Sequence, residues 1–134
     1  MAVLYRTIRQ GAKGTLVVDA GDNAAIDTTV GPLPRLQLRA GESCSSATVS
    51  CTSYPTGATI GTVPSDDLEL GTPAAVSTNT ECNDRIVGSG EGITIAFTFA
   101  DDAPLGTYVL KGEIVTSTSR QVPFCLHLSL VGCS

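Results

Sequence analysis

The sequence lacks tryptophan, has one histidine and one methionine, and only 4% of its residues are aromatic. It contains no glycine-rich phosphate loop, no HExxH or GxSxG motif, and no cysteine spacing typical of zinc sites. The single histidine, His127, falls within a regular alternating segment, which favours a surface position over a general base. We therefore expect no catalytic residues, no cofactor and no metal site, and we expect that the protein is not an enzyme.

Paired carboxylates occur at Asp66 and Asp67 and again at Asp101 and Asp102. Calcium needs six to eight oxygen ligands, and neither pair lies in a loop with an EF-hand pattern. Both pairs lie in predicted turns, where aspartate is favoured because its side chain hydrogen-bonds the nearby backbone. The carboxylate pairs therefore predict turns.

Long hydrophobic runs are also missing. No stretch of about eighteen apolar residues occurs, and the opening residues MAVLYRTIRQGAKG do not resemble a signal peptide, so we expect no membrane association and synthesis in a cytoplasm.

The five cysteines are an odd number, which leaves at least one thiol free. Cys44 and Cys82 lie in polar segments and are the one pair that we consider for a late-formed disulfide. Cys51 alternates with Ala47 and Val49, which predicts a small buried side chain.

What the chain does contain is typical of a β protein. Its 134 residues match the size of one domain, and fourteen glycines and seven prolines, with many Ser, Thr and Val residues, favour short strands joined by turns. We expect an all-β domain with one hydrophobic core.

Charge is distributed unevenly. The first forty residues carry five basic and three acidic groups, whereas the remainder carries three basic and ten acidic ones. We therefore predict an N-terminal arm with short strands over residues 1–31 and a sandwich over residues 32–134. Arg6, Arg9 and Lys13 are the candidate contacts of this arm with an acidic partner surface, although an ordinary solvated face explains them equally well. A nucleic-acid partner is not expected, because the basic residues are sparse and the body is acidic.

The last forty residues alternate with period two. ITIAFTF and TYVLKGEIVT each place apolar residues on one face, and the final strand places Val122, Phe124, Leu126, Leu128 and Leu130 on one face. Turn-forming segments, ADDAPLG and STSR, separate the three. The pattern predicts three consecutive antiparallel strands, each with one buried face.

Tyr108 begins the second of these strands, just after a turn that contains Pro104 and Gly106. In β-sandwiches of the immunoglobulin type, a buried tyrosine near the start of the sixth strand hydrogen-bonds the backbone a few residues upstream. The spacing from Asp102 to Tyr108 resembles this tyrosine corner. We expect an immunoglobulin-like antiparallel β-sandwich in which Gly106 and Tyr108 define the fold and Tyr108 fixes the crossover between the two sheets.

The run GITIAFTFADDAPLGTYVLKGEIVTSTSRQVPFCLHLSLV resembles the Ig-like β-sandwich modules of virion structural proteins of tailed bacteriophages, and the opening YRTIRQGAKGTLVV is similar to strands of such proteins. The resemblance covers about a third of the chain well and implies a fold more than a role. It implies a capsid decoration (cement) protein that binds the major capsid protein, or alternatively a tail, fibre or baseplate subunit. It further implies a virion location after assembly in the host cytoplasm, and a homo-oligomer that we expect to be a trimer.

A carbohydrate-binding or adhesion module is the rival hypothesis from another class. Sugars commonly stack on exposed aromatic rings, and the three phenylalanines are phased inward. Tyr5 and Tyr54 remain available, and Tyr54, in the loop TSYPTG, is the better candidate.

Overall fold

The computed structural model describes residues 2–20, 38, 42–82 and 85–132, and these residues form β-strands and no helix. The described part of the chain accordingly offers no helix that could span a membrane. The strand bounds are β1 Ala2–Arg9, β2 Lys13–Asp19, β3 Cys44–Ser53, β4 Ile60–Gly61, β5 Leu68–Leu70, β6 Ala74–Ala75, β7 Thr80–Cys82, β8 Arg85–Val87, β9 Gly92–Phe99, β10 Gly106–Thr116 and β11 Gln121–Val131.

Two sheets pack against each other. The first has the strand order β1-β11-β10-β3, and the second has the order β2-β9-β5-β4, with β6 also paired to β9. Strands β7 and β8 form a separate hairpin. The predicted all-β sandwich is confirmed at this level.

The core lies between the sheets and follows from the alternation of the long strands. Ile93, Ile95 and Phe99 of β9 face Phe124 and Leu128 of β11, and all five are at most 1% exposed. Burying each such side chain contributes about 1.5–3 kcal/mol relative to leaving it exposed. Period-two patterning therefore identified the buried face of these strands correctly.

Strand partners agree in part with the sequence prediction. Strands β10 and β11 form the expected antiparallel hairpin, and β9 lies in the other sheet, before the crossover expected at Tyr108, where it pairs with β2, β5 and β6. The chain crosses between the sheets through residues 100–105. Alternation specifies which face of a strand is buried but not which strand lies beside it.

The first two strands are integral to the sandwich. β1 pairs in parallel with β11, and β2 pairs antiparallel with β9. Ile8, Leu16 and Val18 are buried in the common core. This differs from the sequence prediction, which assigned residues 1–31 to an N-terminal arm; burial of these apolar side chains holds the segment within both sheets. The predicted boundary between residues 31 and 32 lies outside the described residues.

The cysteines also differ from expectation. Cys44 is buried as the first residue of β3 and does not lie in a polar loop, and its thiol is free, as are those of Cys51 and Cys125. The disulfide predicted between Cys44 and Cys82 is therefore not formed; the side chain of Cys82 lies outside the described residues. Burial, followed by the nearby Glu42 and Asp19 carboxylates, raises the pKa of the Cys44 thiol to about 11.

Candidate functional site

One end of the sandwich gathers the turns between the two sheets. Strands β1, β3, β9 and β11 end there, while β2, β5 and β10 begin there. We call this end the loop pole and define it as residues 10–12, 54–59, 62–67, 100–105 and 131–132. It is the region where side chains from distant parts of the sequence meet.

Backbone hydrogen bonds tie the segments of the loop pole together. The Gln10 N–H donates to the Val131 carbonyl at 2.9 Å, and the Gln10 side-chain Nε2 donates to the Ala103 carbonyl at 2.7 Å. The Ala100 N–H donates to the carbonyl of Asp67 at 2.8 Å, and the Gly11 N–H donates to the carbonyl of Ala100 at 3.3 Å. The first turn of the chain is thus braced against the crossover loop and the last strand.

A second brace joins Thr59 and Asp67. The Thr59 N–H donates to the Asp67 Oδ2 at 3.0 Å, and the Asp67 N–H donates to the Thr59 Oγ1 at 2.9 Å. The neighbouring Asp66 carboxylate accepts a hydrogen bond from the Val63 N–H at 3.4 Å. The first carboxylate pair therefore caps turns, as the sequence predicted.

Tyr108 connects the loop pole to the hydrophobic core. Its ring is fully buried and packs edge-on against Phe99, with ring centroids 5.1 Å apart, and its hydroxyl donates to the Pro104 carbonyl at 2.7 Å. Burial, with smaller effects from the Asp67 carboxylate and the Cys51 thiol, raises the pKa of Tyr108. The predicted hydrogen bond to the backbone a few residues upstream is present.

Gly106 occupies the tight position that the sequence assigned to it. Its φ of 137° lies in a region that side chains other than glycine rarely adopt, and a Cβ there would lie 2.9 Å from Cγ of Pro55. The glycine lets the loop carrying Pro55 approach the start of β10.

The loop pole also exposes apolar side chains. Among the described residues, six large hydrophobic side chains are exposed, and four of them lie here: Tyr54 (49%), Val63 (50%), Leu105 (53%) and Val131 (39%). The other two are Tyr5 and Ile86. Sequence reasoning selected Tyr54 but missed the rest, because each of them follows or precedes a turn without any pattern of its own.

Charged residues lie at the same end of the sandwich as these apolar side chains. Asp66, Asp67, Asp101 and Asp102 all lie in the loops of this end, and the last two are exposed. Of the predicted partner contacts, Arg9 ends β1 and Lys13 begins β2, so both flank the first turn of the loop pole, whereas Arg6 lies further back along β1. All three are exposed. The loop pole is therefore acidic on balance.

Two other sequence candidates lie elsewhere. Tyr5 is 74% exposed on the outer face of the first sheet, where its ring lies 5.1 Å from that of His127, its register partner on β11. In the part of the chain that the structure describes, no three His, Cys, Asp or Glu side chains lie close enough together to hold a metal ion.

Comparison of the chain with protein families, with characterised proteins and with solved structures found no match.

Proposed function

We propose that this protein is a non-enzymatic structural component of a tailed-bacteriophage virion, an immunoglobulin-like sandwich that binds and stabilises the capsid lattice. The observation that carries the proposal is the loop pole, which holds four of the six large apolar side chains that are exposed among the described residues, on hydrogen-bonded segments that also carry four aspartates. The resemblance of the last forty residues to virion modules supplies the biological setting.

The strand order supports an immunoglobulin-like topology. In immunoglobulin domains, the third, sixth and seventh strands form one sheet, and the second, fifth and fourth form the other. Here β3, β10 and β11 share the first sheet, and β2, β9 and β5 share the second. Tyr108 stands at the start of β10, in the position of the tyrosine corner, with its hydrogen bond made. The edge strand β1 joins the first sheet through parallel pairing with the last strand.

The chemistry of the loop pole is that of a protein-binding surface. Apolar side chains exposed together and surrounded by polar groups mark interaction sites more often than isolated surface residues do. The loops are held by backbone and side-chain hydrogen bonds, so little conformational entropy is lost when a partner docks. The aspartates favour a partner with a basic rim around an apolar centre and repel nucleic acid. A capsid subunit with such a patch is the partner that we propose, and a tail, fibre or baseplate subunit is the alternative virion role.

Cosedimentation with empty capsids of the parent particle tests the proposal. We expect the double variant Leu105→Ser/Val63→Ser to bind capsids at least about tenfold more weakly, equivalent to about 1.4 kcal/mol, because it removes apolar contact area from the loop pole. Both side chains are exposed, so the core is untouched.

Ile86→Ser is the matched control, since Ile86 is 57% exposed on the β7–β8 hairpin. It should bind capsids as the unchanged protein does. Equal binding by the double variant and the unchanged protein, or an equal loss in the control, would contradict docking through the loop pole.

Carbohydrate binding is the second candidate, favoured by the exposed Tyr5 ring beside His127 and by the exposed Tyr54. A glycan array with the unchanged protein, Tyr5→Ala and Tyr54→Ala decides it. Binding lost in either variant would support this candidate, whereas capsid binding without any glycan signal would support the virion role.

A further inference from the structure

Among the described strands, β3 forms one edge of the first sheet. It pairs with β10 along one edge and is the outermost strand on the other. Within the described part of the chain, residues 45–53 make no backbone hydrogen bond beyond the pairing with β10. An edge with free N–H and C=O groups is a template for a further strand.

The remaining edges of the two sheets are protected in ways that β3 is not. β1 carries two arginines, β2 carries Lys13 and Asp19, and β4 is only two residues long. Charges and short length are the usual means by which natural proteins prevent strand addition. β3 has ten residues, CSSATVSCTS, with no charge and no proline. Among the described edges, β3 therefore has the fewest features that would prevent a second strand from pairing with it.

A cleft lies behind this edge. It has a volume of about 580 Å³ and separates β3 from the β4–β6 edge of the other sheet. Ala47, Val49 and Cys51 line one wall, and Ile60 and Leu70 line the other. The three side chains of β3 are half-buried. A strand added beside β3 would cover these apolar groups from water.

The sequence of β3 complements itself. By its register with β10, its outward-facing side chains are Ser46, Thr48 and Ser50, and its inward-facing ones are Ala47, Val49 and Cys51. If two copies of β3 pair antiparallel about Val49, Thr48 lies opposite Ser50 of the second copy, and Ala47 lies opposite Cys51 of the second copy. Hydroxyl pairs then meet on one face and small apolar pairs on the other, both of which stabilise antiparallel neighbours.

Charges on the neighbouring strand also fit this arrangement. In the register of the first sheet, Lys111 lies beside Ser50 and Glu113 lies beside Thr48. A two-fold axis at Val49 therefore aligns Lys111 with Glu113 of the second copy, three strand spacings or about 14 Å away. The arrangement therefore places opposite and not like charges across the contact, although at this distance their attraction is largely screened by salt.

We propose that the protein forms a two-fold dimer by antiparallel pairing of β3 with β3 of a second copy, which joins the two first sheets and closes both clefts. This contact differs from the cyclic trimer that the resemblance led us to expect. It rests on the edge strand and not on the loop pole, so it can fail or hold independently of capsid binding. Tyr54 belongs to the loop pole and also lines the cleft, whereas Leu105 and Val63, the two positions changed in the capsid-binding test, do not line it.

Sedimentation equilibrium of the full chain tests the dimer. We expect the unchanged protein to dimerise, and we expect Thr48→Lys/Ser50→Lys and Thr48→Glu/Ser50→Glu each to raise the dimer dissociation constant at least about tenfold, because like charges lie opposite one another. Thr48 and Ser50 are exposed, so each variant should keep the unchanged unfolding midpoint. Mixing the two variants should restore dimerisation, because lysine then faces glutamate.

The matched control is Thr107→Lys/Gln121→Lys, two exposed positions on the same outer face that lie on the inner strands β10 and β11 and do not pair with each other. It should dimerise as the unchanged protein does. A monomer at every concentration, a trimer, equal dissociation constants for the lysine variant and the unchanged protein, or no recovery in the mixture would each overturn the proposal.

Discussion

The two poles of the sandwich are held together by different chemistry. At the loop pole, backbone hydrogen bonds, the Thr59–Asp67 pair and the neutral hydroxyl of Tyr108 connect the segments. We call the other end the hairpin pole and define it as residues 42–44 and 116–120. There a buried carboxylate connects the segments. The Glu42 side chain is 1% exposed, and its Oε1 lies 2.6 Å from Nη2 of Arg120.

Several donors converge on this carboxylate. The hydroxyls of Thr116 and Thr118 donate to Glu42 Oε2 at 2.6 and 2.5 Å, and Nε of Arg120 donates to the same oxygen at 3.2 Å. The turn between β10 and β11 is thereby tied to the residues that precede β3. Ser119, with φ of 63°, adopts the left-handed conformation that this tight turn requires.

The comparison shows how each pole divides its polar groups between folding and binding. A buried charge is costly unless it is fully paired, so the polar side chains of the hairpin pole are committed to one another. The loop pole is secured mainly through its backbone, which leaves Leu105 and Val63 free to meet a partner. We therefore expect substitutions to affect folding most at the hairpin pole and binding most at the loop pole.

The largest effect on stability is expected for Arg120→Met. This change leaves the Glu42 carboxylate buried without its counter-ion, which should lower the free energy of unfolding by about 3 kcal/mol, as measured by urea denaturation. Lys111→Met, at an exposed position, is the control and should stay within about 0.5 kcal/mol. The double variant Glu42→Gln/Arg120→Met should regain part of the loss, since no buried charge remains. A loss below about 1 kcal/mol in Arg120→Met would remove the distinction between the poles.

Alkaline pH should remove the contribution of Cys44 at the hairpin pole before that of Tyr108 at the loop pole. The folded-state pKa of Cys44 is raised from 9.0 to about 11, so the neutral thiol contributes stability below pH 9 that is lost as the pH rises through about 11. The shift corresponds to a loss of about 2–3 kcal/mol. The pKa of Tyr108 is also raised, from 10.0, so its contribution declines only above pH 10.

Unfolding free energies of the unchanged protein and of Cys44→Ala between pH 8 and 11 measure this difference. The two curves should converge as the pH rises above 9, because the variant has no thiol to ionise. Parallel curves across the range would show that the Cys44 thiol is not the group responsible.

The smallest effect is expected for Tyr108→Phe, which keeps the buried ring but removes the hydrogen bond to the Pro104 carbonyl. We expect a loss of about 1 kcal/mol in unfolding free energy by thermal or urea denaturation. Tyr5→Phe, at a hydroxyl on a 74% exposed side chain, should change stability little. If Tyr108→Phe destabilises more than Arg120→Met does, the neutral pole is the stronger constraint and the comparison is reversed.

Part of the candidate site could be predicted from the sequence. Tyr108, Pro104 and Gly106 lie within five residues of each other, so local turn chemistry was enough to predict their arrangement. Asp66 and Asp67 were correctly assigned to turns for the same reason. The exposure of Leu105, Val63 and Val131 at one end could not be predicted, because it depends on which loops the two sheets bring to the same pole.

Contacts between distant residues could not be predicted from the sequence for a related reason. Glu42 and Arg120 are 78 residues apart, and neither carries a pattern that points to the other. The basic residues of the first strands suggested an arm, whereas parallel pairing of β1 with β11 makes that segment part of the sandwich. Such contacts are selected by the packing of the whole core.

The sequence by itself determined the strand class, the buried faces of β9, β10 and β11 and the turn before Tyr108, because side-chain alternation and turn preferences act between residues that are near one another in the chain. Only the tertiary structure decided that β9 pairs with β2, β5 and β6, that Glu42 meets Arg120, and that β3 is an uncharged edge among the described strands. The physical reason is that the alternation of side chains along a strand specifies which face of the strand is buried but not which strand pairs with it. Neighbours are chosen by contacts between distant segments when the two sheets close over one core.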